Sequence, residues 1–175
     1  GEQYGKLLQE AHDNGWIDVE ETEGKRSGAY SISVFGLKHP YVLLNYQKTT
    51  NDVFTVAHEL GHAMHSYFSS EANDFANHDY RIMVAEVAST VNEVLMTRHL
   101  LSVETDPAKR AYLLNHFLEG FRTTVFRQTL FAEFERKAHE MYKQGIPLTA
   151  ENLNRVYREL NELYYEGAYV NELQD

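Results

Sequence analysis

The sequence has 175 residues, 26 Asp and Glu against 16 Lys and Arg, a formal charge of −10, 43% hydrophobic residues and no cysteine. That length can bury a core, and 12 Tyr with 9 Phe exclude a disordered composition. The lack of cysteine excludes a disulfide scaffold and any zinc finger built on thiolates. The acidic balance argues against a nucleic-acid partner, because phosphate neutralisation needs clustered Lys and Arg. Apolar runs are only a handful of residues long, so no membrane span is expected.

In chain order, residues 2–14 read as a helix, with Tyr4, Leu7, Leu8 and Ala11 spaced by three and four and Gly15 as its stop. A charged turn over 18–25 and a small-residue loop over 26–30 follow. Alternation predicts a strand over 30–35 and a second over 41–46. Thr50 or Asn51 is expected to cap a helix reaching about residue 69, with Asp52 suiting its dipole. A polar loop over 71–79 leads into a helix over about 80–101. Asp106 caps another that starts at Pro107 and runs to about residue 144, with Gly120 as a candidate interruption. The Tyr and Phe of 117–134 recur at helical spacing and read as core. Gly145-Ile-Pro147 ends that helix, and a last one spans about 149–165. The class is mainly α with a small β element. The expected organisation is a single core fragment over 1–175: a helix with two strands and a loop over 1–48, site helices over 49–102 and supporting helices over 103–175.

The chemistry concentrates in His58-Glu59-Leu60-Gly61-His62, an H-E-x-x-H motif inside a predicted helix. Four residues advance a helix by about 1.1 turns, so His58 and His62 share a face, about 6 Å apart, and can hold one Zn²⁺. Glu59, one residue along, stands off the ligand axis where it can act on a bound water. Val56, Ala57, Leu60, Gly61 and Ala63 are uncharged, so a merely solvated His-Glu-His face would strand ionisable groups on an apolar helix. The extended H-E-x-x-H-x-x-G-x-x-H pattern is absent, because His65 holds its Gly position and Phe68 its last His position. His65 therefore reads as a pocket-wall residue, a neighbour of the ligands or a core histidine. Glu86, the only acid in Met83-Val-Ala-Glu-Val-Ala-Ser89, needs a compensating cation and is the expected third ligand. Glu93, two turns further on, is either a hydrogen-bond partner of a ligand histidine or an exposed helical acid. A thermolysin-like alternative makes Glu93 the ligand instead, and a non-catalytic alternative makes the zinc a structural staple. The strand over 41–46, starting at Tyr41, is either an edge that receives a peptide by backbone pairing or an ordinary structural strand. The loop with Gly28, Ala29 and Tyr30 is either a flexible flap above the cleft or a hairpin lead-in.

Phe54-Thr-Val-Ala-His-Glu-Leu-Gly-His-Ala-Met-His-Ser-Tyr67, followed by Val84-Ala-Glu-Val-Ala-Ser-Thr-Val-Asn-Glu93, resembles the thimet oligopeptidase family, and most of all its oligoendopeptidase F branch. Gly24-Lys-Arg-Ser-Gly-Ala-Tyr-Ser31, His39-Pro-Tyr-Val-Leu-Leu-Asn-Tyr46 and Phe131-Ala-Glu-Phe-Glu135 extend the likeness across nearly the whole chain. The resemblance implies a gluzincin-type catalytic core with one zinc per chain on His58, His62 and Glu86, and Glu59 as general base. It implies a cytoplasmic endopeptidase whose deep channel admits short peptides. Family members are far longer, with a helical wall ahead of this region and a His followed by closely spaced tyrosines after it, thought to stabilise the oxyanion. Tyr164, Tyr165 and Tyr169 do not match that motif, since no His accompanies them. The chain is therefore expected to be truncated, to bind zinc, to need the remainder of a family-length chain, and to hydrolyse peptides poorly alone.

Overall fold

The computed structural model describes residues 1–166 and Ala168. It is mainly α with one small sheet, in two compact units, Gly1–Thr105 and Asp106–Asp175.

The first unit opens with α1 (Glu2–Asp13), whose buried Leu7 and Ala11 pack with Trp16 and Met64. Gly15 takes φ +72, a left-handed turn that releases the chain into β1 (Ile17–Asp18). Charge and composition alone place residue 18 at the start of a turn, whereas pairing with the central strand draws it into β1. Two further strands follow, β2 (Tyr30–Ile32) and β3 (Tyr41–Leu43), both shorter than alternation suggested. Strand β3 is central, parallel to β1 with Ile17 opposite Val42, and antiparallel to β2 with Ser31 opposite Val42. Its buried Val42, with Leu44, packs on Ala63 of the next helix, seating the sheet against it.

That helix, α2 (Thr50–Ala72), starts one residue earlier than expected because Thr49 is the cap. The Thr49 hydroxyl accepts from the Asp52 N–H at 3.2 Å, and the Asp52 carboxylate accepts from the Thr49 N–H at 2.8 Å. This reciprocal pair needs an acceptor three residues after the cap, which selects Thr49. Helix α3 (Ile82–Val103) lies along α2 with small residues between them. A Cβ at Gly61 would stand 2.7 Å from the Ser89 Cα, so the two backbones touch at a place only glycine allows.

The second unit starts at α4 (Pro107–Phe121), capped by Asp106 as expected, and continues through a π-helical turn (Arg122–Phe126) into α5 (Arg127–Lys143). Gly120 itself stays helical. The Thr124 hydroxyl bonds the Gly120 carbonyl and the Thr123 hydroxyl the Glu119 carbonyl, and this back-bonding opens the ladder. Gly145, at φ +74, ends α5, and Thr149 caps α6 (Ala150–Tyr165). Leu130, Met141, Val156 and Leu160 form the core between α5 and α6, with Phe134 against it. Phe121, Phe126 and Phe131 remain exposed, so the aromatic run over 117–134 is not uniformly core. The Tyr164 hydroxyl donates to Glu133, while Tyr169 lies outside the described residues. No described helix is long and apolar enough to cross a membrane.

Candidate metal centre

Helices α2 and α3 bring three donors together: His58, His62 and Glu86 each offer a ligand atom within 4.8 Å of the others. The two histidines come from one face of α2. Their Nε2 atoms are 3.1 Å apart, and Glu86 reaches across from α3 with one oxygen 3.5 Å from His58 Nε2 and the other 3.8 Å from His62 Nε2. Glycine at position 61 is what permits this, since any side chain there would push Ser89, and Glu86 with it, off the histidines.

The hydrogen bonds around these donors set their chemistry. His58 Nδ1 lies 2.5 Å from a Glu93 oxygen. A carboxylate can only accept, so Nδ1 carries the proton and the Nε2 lone pair faces the cluster. The Glu93 hydrogen bond, outweighing burial, holds the His58 pKa above its ordinary value of 6.5. Burial pushes His62 below that value. On α3, the fully buried Ser89 hydroxyl donates to Glu86 Oε2 at 3.0 Å and turns the carboxylate toward α2. Sequence reasoning passed over Ser89; its only signal was a hydroxyl three residues after a lone acid.

Glu59 is buried, at 8% exposure, and burial raises its pKa above the ordinary 4.5. Its carboxylate accepts from the backbone N–H of Ser31 in β2. Bonds of 2.0–2.1 Å to a tetrahedral ion imply donor separations of about 3.3 Å; the two Nε2 atoms stand at 3.1 Å, and with one atom from each residue all three donors lie within 4.8 Å, close enough to converge on one ion. Two imidazole nitrogens and a carboxylate oxygen are also donors that zinc accepts.

Other residues singled out by the sequence fall elsewhere. His65 is not part of the cluster; its ring stacks on Tyr80 at 3.9 Å and its Nδ1 is buried without a partner. Burial lowers its pKa. Gly28, at φ +93, sits in a loop tied down by Asn45, whose side-chain amide donates to the Arg26 and Gly28 carbonyls at 2.9 and 2.7 Å. Ala29 packs against the sheet cluster. Tyr30 and Tyr41 are both exposed. Tyr41 belongs to the central strand, paired on both sides, so of the two readings the ordinary structural strand matches the sheet, whose outer strands among the described residues are β1 and β2.

An H-E-x-x-H helix crossed by a second helix that delivers a glutamate is a gluzincin-type core, here in the helical setting of an oligopeptidase. Peptidase family M3 matches residues 2–173, and the chain belongs to that family. It is 48% identical over 170 residues to oligopeptidase PepF of Bacillus subtilis, covering 97% of this chain and 25% of that protein. It is 51% identical over 165 residues to the chromosomal oligoendopeptidase F of Lactococcus lactis subsp. cremoris, covering 94% and 27%. A crystal structure of a peptidase candidate from Chlamydophila abortus superposes with a TM-score of 0.81 at 40% identity, over 99% of this chain and 29% of that one. The chain thus spans about a quarter of the length of these relatives.

Proposed function

We propose that this chain is the zinc-holding part of a cytoplasmic endopeptidase for short peptides, with His58, His62 and Glu86 as ligands and Glu59 as general base. The observation that carries this is the meeting of two imidazole nitrogens and one carboxylate beside a buried glutamate. Zinc held there would supply Lewis acidity toward a water molecule and the scissile carbonyl.

The remaining chemistry belongs to the chain. Glu59, made more basic by burial, takes a proton from the attacking water and returns it to the amine nitrogen as the C–N bond breaks. The Ser31 N–H keeps that carboxylate oriented. Glu93 fixes the tautomer of His58, and Ser89 fixes the rotamer of Glu86. A peptide paired along the free edge of β2 would run beside Glu59, because Ser31 of that strand already touches it.

Two observations favour this reading over its alternatives. Glu93 faces Nδ1 of His58, away from the Nε2 cluster, which disfavours a thermolysin-like ligand role. Among the described residues the cluster has three protein donors, and a structural zinc would be closed by four.

Zinc content and turnover of a quenched fluorescent peptide test the assignment together. Glu86→Gln should lose zinc, Glu93→Gln should keep a site weakened about 10–100-fold, and Glu59→Ala should keep zinc but lose any turnover. Full zinc retention in Glu86→Gln would sink the ligand assignment.

A further inference from the structure

The structure points to a positioning residue outside the ligand set. We propose that the Asn92 side chain, held by Tyr4, locks α3 against α2 in the register that lets Glu93 meet His58 and Glu86 face both histidines. The proposal rests on the zinc reading above.

Asn92 lies in the middle of α3, where asparagine is a weak helix former whose amide competes with the backbone. Here the half-buried amide turns to other helices instead. Its Nδ2 donates to the Ala57 carbonyl of α2 at 3.0 Å and to the Tyr4 hydroxyl of α1 at 2.8 Å. The Tyr4 hydroxyl in turn donates to Oδ1 at 3.0 Å, so one amide joins three helices. The tyrosine ring is itself fixed, packed against the Leu7, Ala11, Trp16 and Met64 cluster.

Placement is the decisive feature. Ala57 immediately precedes His58, and Asn92 immediately precedes Glu93. The amide bond therefore ties the two backbones one residue away from the His58–Glu93 contact. Successive side chains diverge by about 100° around a helix, so Asn92 and Glu93 hold α2 at two separate angles and stop α3 from rolling. A slip of one residue would move α3 by about 1.5 Å, enough to break a 2.5 Å bond to His58 and carry Glu86 off the cluster. The helix carbonyl of Ala57 can accept this second bond because it has two lone pairs. Contact at Gly61 sets how close the helices lie; Asn92 sets where along each other they stop.

The test uses the 175-residue chain and four variants: Asn92→Ala, Tyr4→Phe, their double, and Leu7→Ala, which loosens the α1 packing without touching the amide. One readout is the zinc dissociation constant by chelator competition. A second needs no metal: the downfield proton resonance of His58 Nδ1–H in its bond to Glu93. Asn92→Ala should weaken zinc binding about 10–100-fold and lose the downfield signal. Tyr4→Phe should move both less, and the double variant no further than Asn92→Ala, because Tyr4 acts through the amide. Leu7→Ala, which reaches the amide only by loosening Tyr4, should lower the melting temperature and move both readouts no further than Tyr4→Phe. Parent-like zinc affinity and His58 signal in Asn92→Ala would overturn the proposal, and so would an equal loss in Leu7→Ala. A parent chain that takes up no zinc refutes the zinc reading alone; the His58 signal then decides on Asn92, lost in support or unchanged against.

Discussion

A methyl group at position 61 has no room: its nearest neighbours would be the Ser89 Cα at 2.7 Å and the Ala88 carbonyl oxygen at 2.9 Å. Both are backbone, so neither can swing aside. Gly61→Ala gains helix propensity of about 1 kcal/mol, yet overpacking of this kind typically costs about 1–3 kcal/mol. The expected outcome is a small net change in melting temperature but a large loss of zinc, since parting the helices withdraws Glu86 from His58 and His62. Zinc content and calorimetry on the same sample check it. A variant that keeps full zinc content would show that α3 has slack at this crossing. Ser89 works at the same scale, aiming Glu86 with one buried hydroxyl.

At the scale of elements, α2 carries the H-E-x-x-H motif, and its start is secured by the Thr49–Asp52 pair. The backbone N–H of Thr49, followed by its hydroxyl, holds the Asp52 carboxyl below its ordinary 3.8. A carboxyl with a depressed folded-state pKa adds stability above its unfolded value, and that contribution fades as pH falls through the folded one. Thermal unfolding should therefore find Asp52→Asn less stable than the parent at about pH 7, with the gap narrowing as pH falls below the ordinary carboxyl value of 3.8. A gap that stays constant would mean that Asp52 charge plays no part in the cap. The π turn between α4 and α5 has a local cause as well, the hydroxyls of Thr123 and Thr124 drawing two carbonyls out of the regular ladder.

For the whole molecule, the first fact is its extent. The chain covers 25% of the Bacillus subtilis relative and 27% of the lactococcal one. Helix α3 leaves Met83, Val87, Val91 and Leu95 exposed, a stripe of apolar side chains spaced by four. Exposed apolar surface of that kind marks an interaction face. The 175-residue chain should therefore bind a hydrophobic dye such as ANS, read as a rise in the dye's fluorescence. Dye fluorescence no higher than that of a protein without such a stripe would overturn this expectation.

Sequence alone determined the helical class, the helix ends marked by Gly15, Pro107 and Gly145, and the pairing of His58, Glu59 and His62, because these depend on interactions within a few residues. Glu86 stood out as the lone acid of an apolar helical stretch, although the structure leaves its side chain 45% exposed, so that its approach to the two histidines, not burial, is what singles it out. Tertiary structure alone decided which strand is central, since three short strands carry too few residues to declare their register. It also turned Glu93 toward His58 Nδ1, moved His65 onto Tyr80, and gave Ser89 and Asn92 their partners. Those outcomes rest on how closely two helices approach and at what register, a distance that Gly61 permits but that no local pattern records.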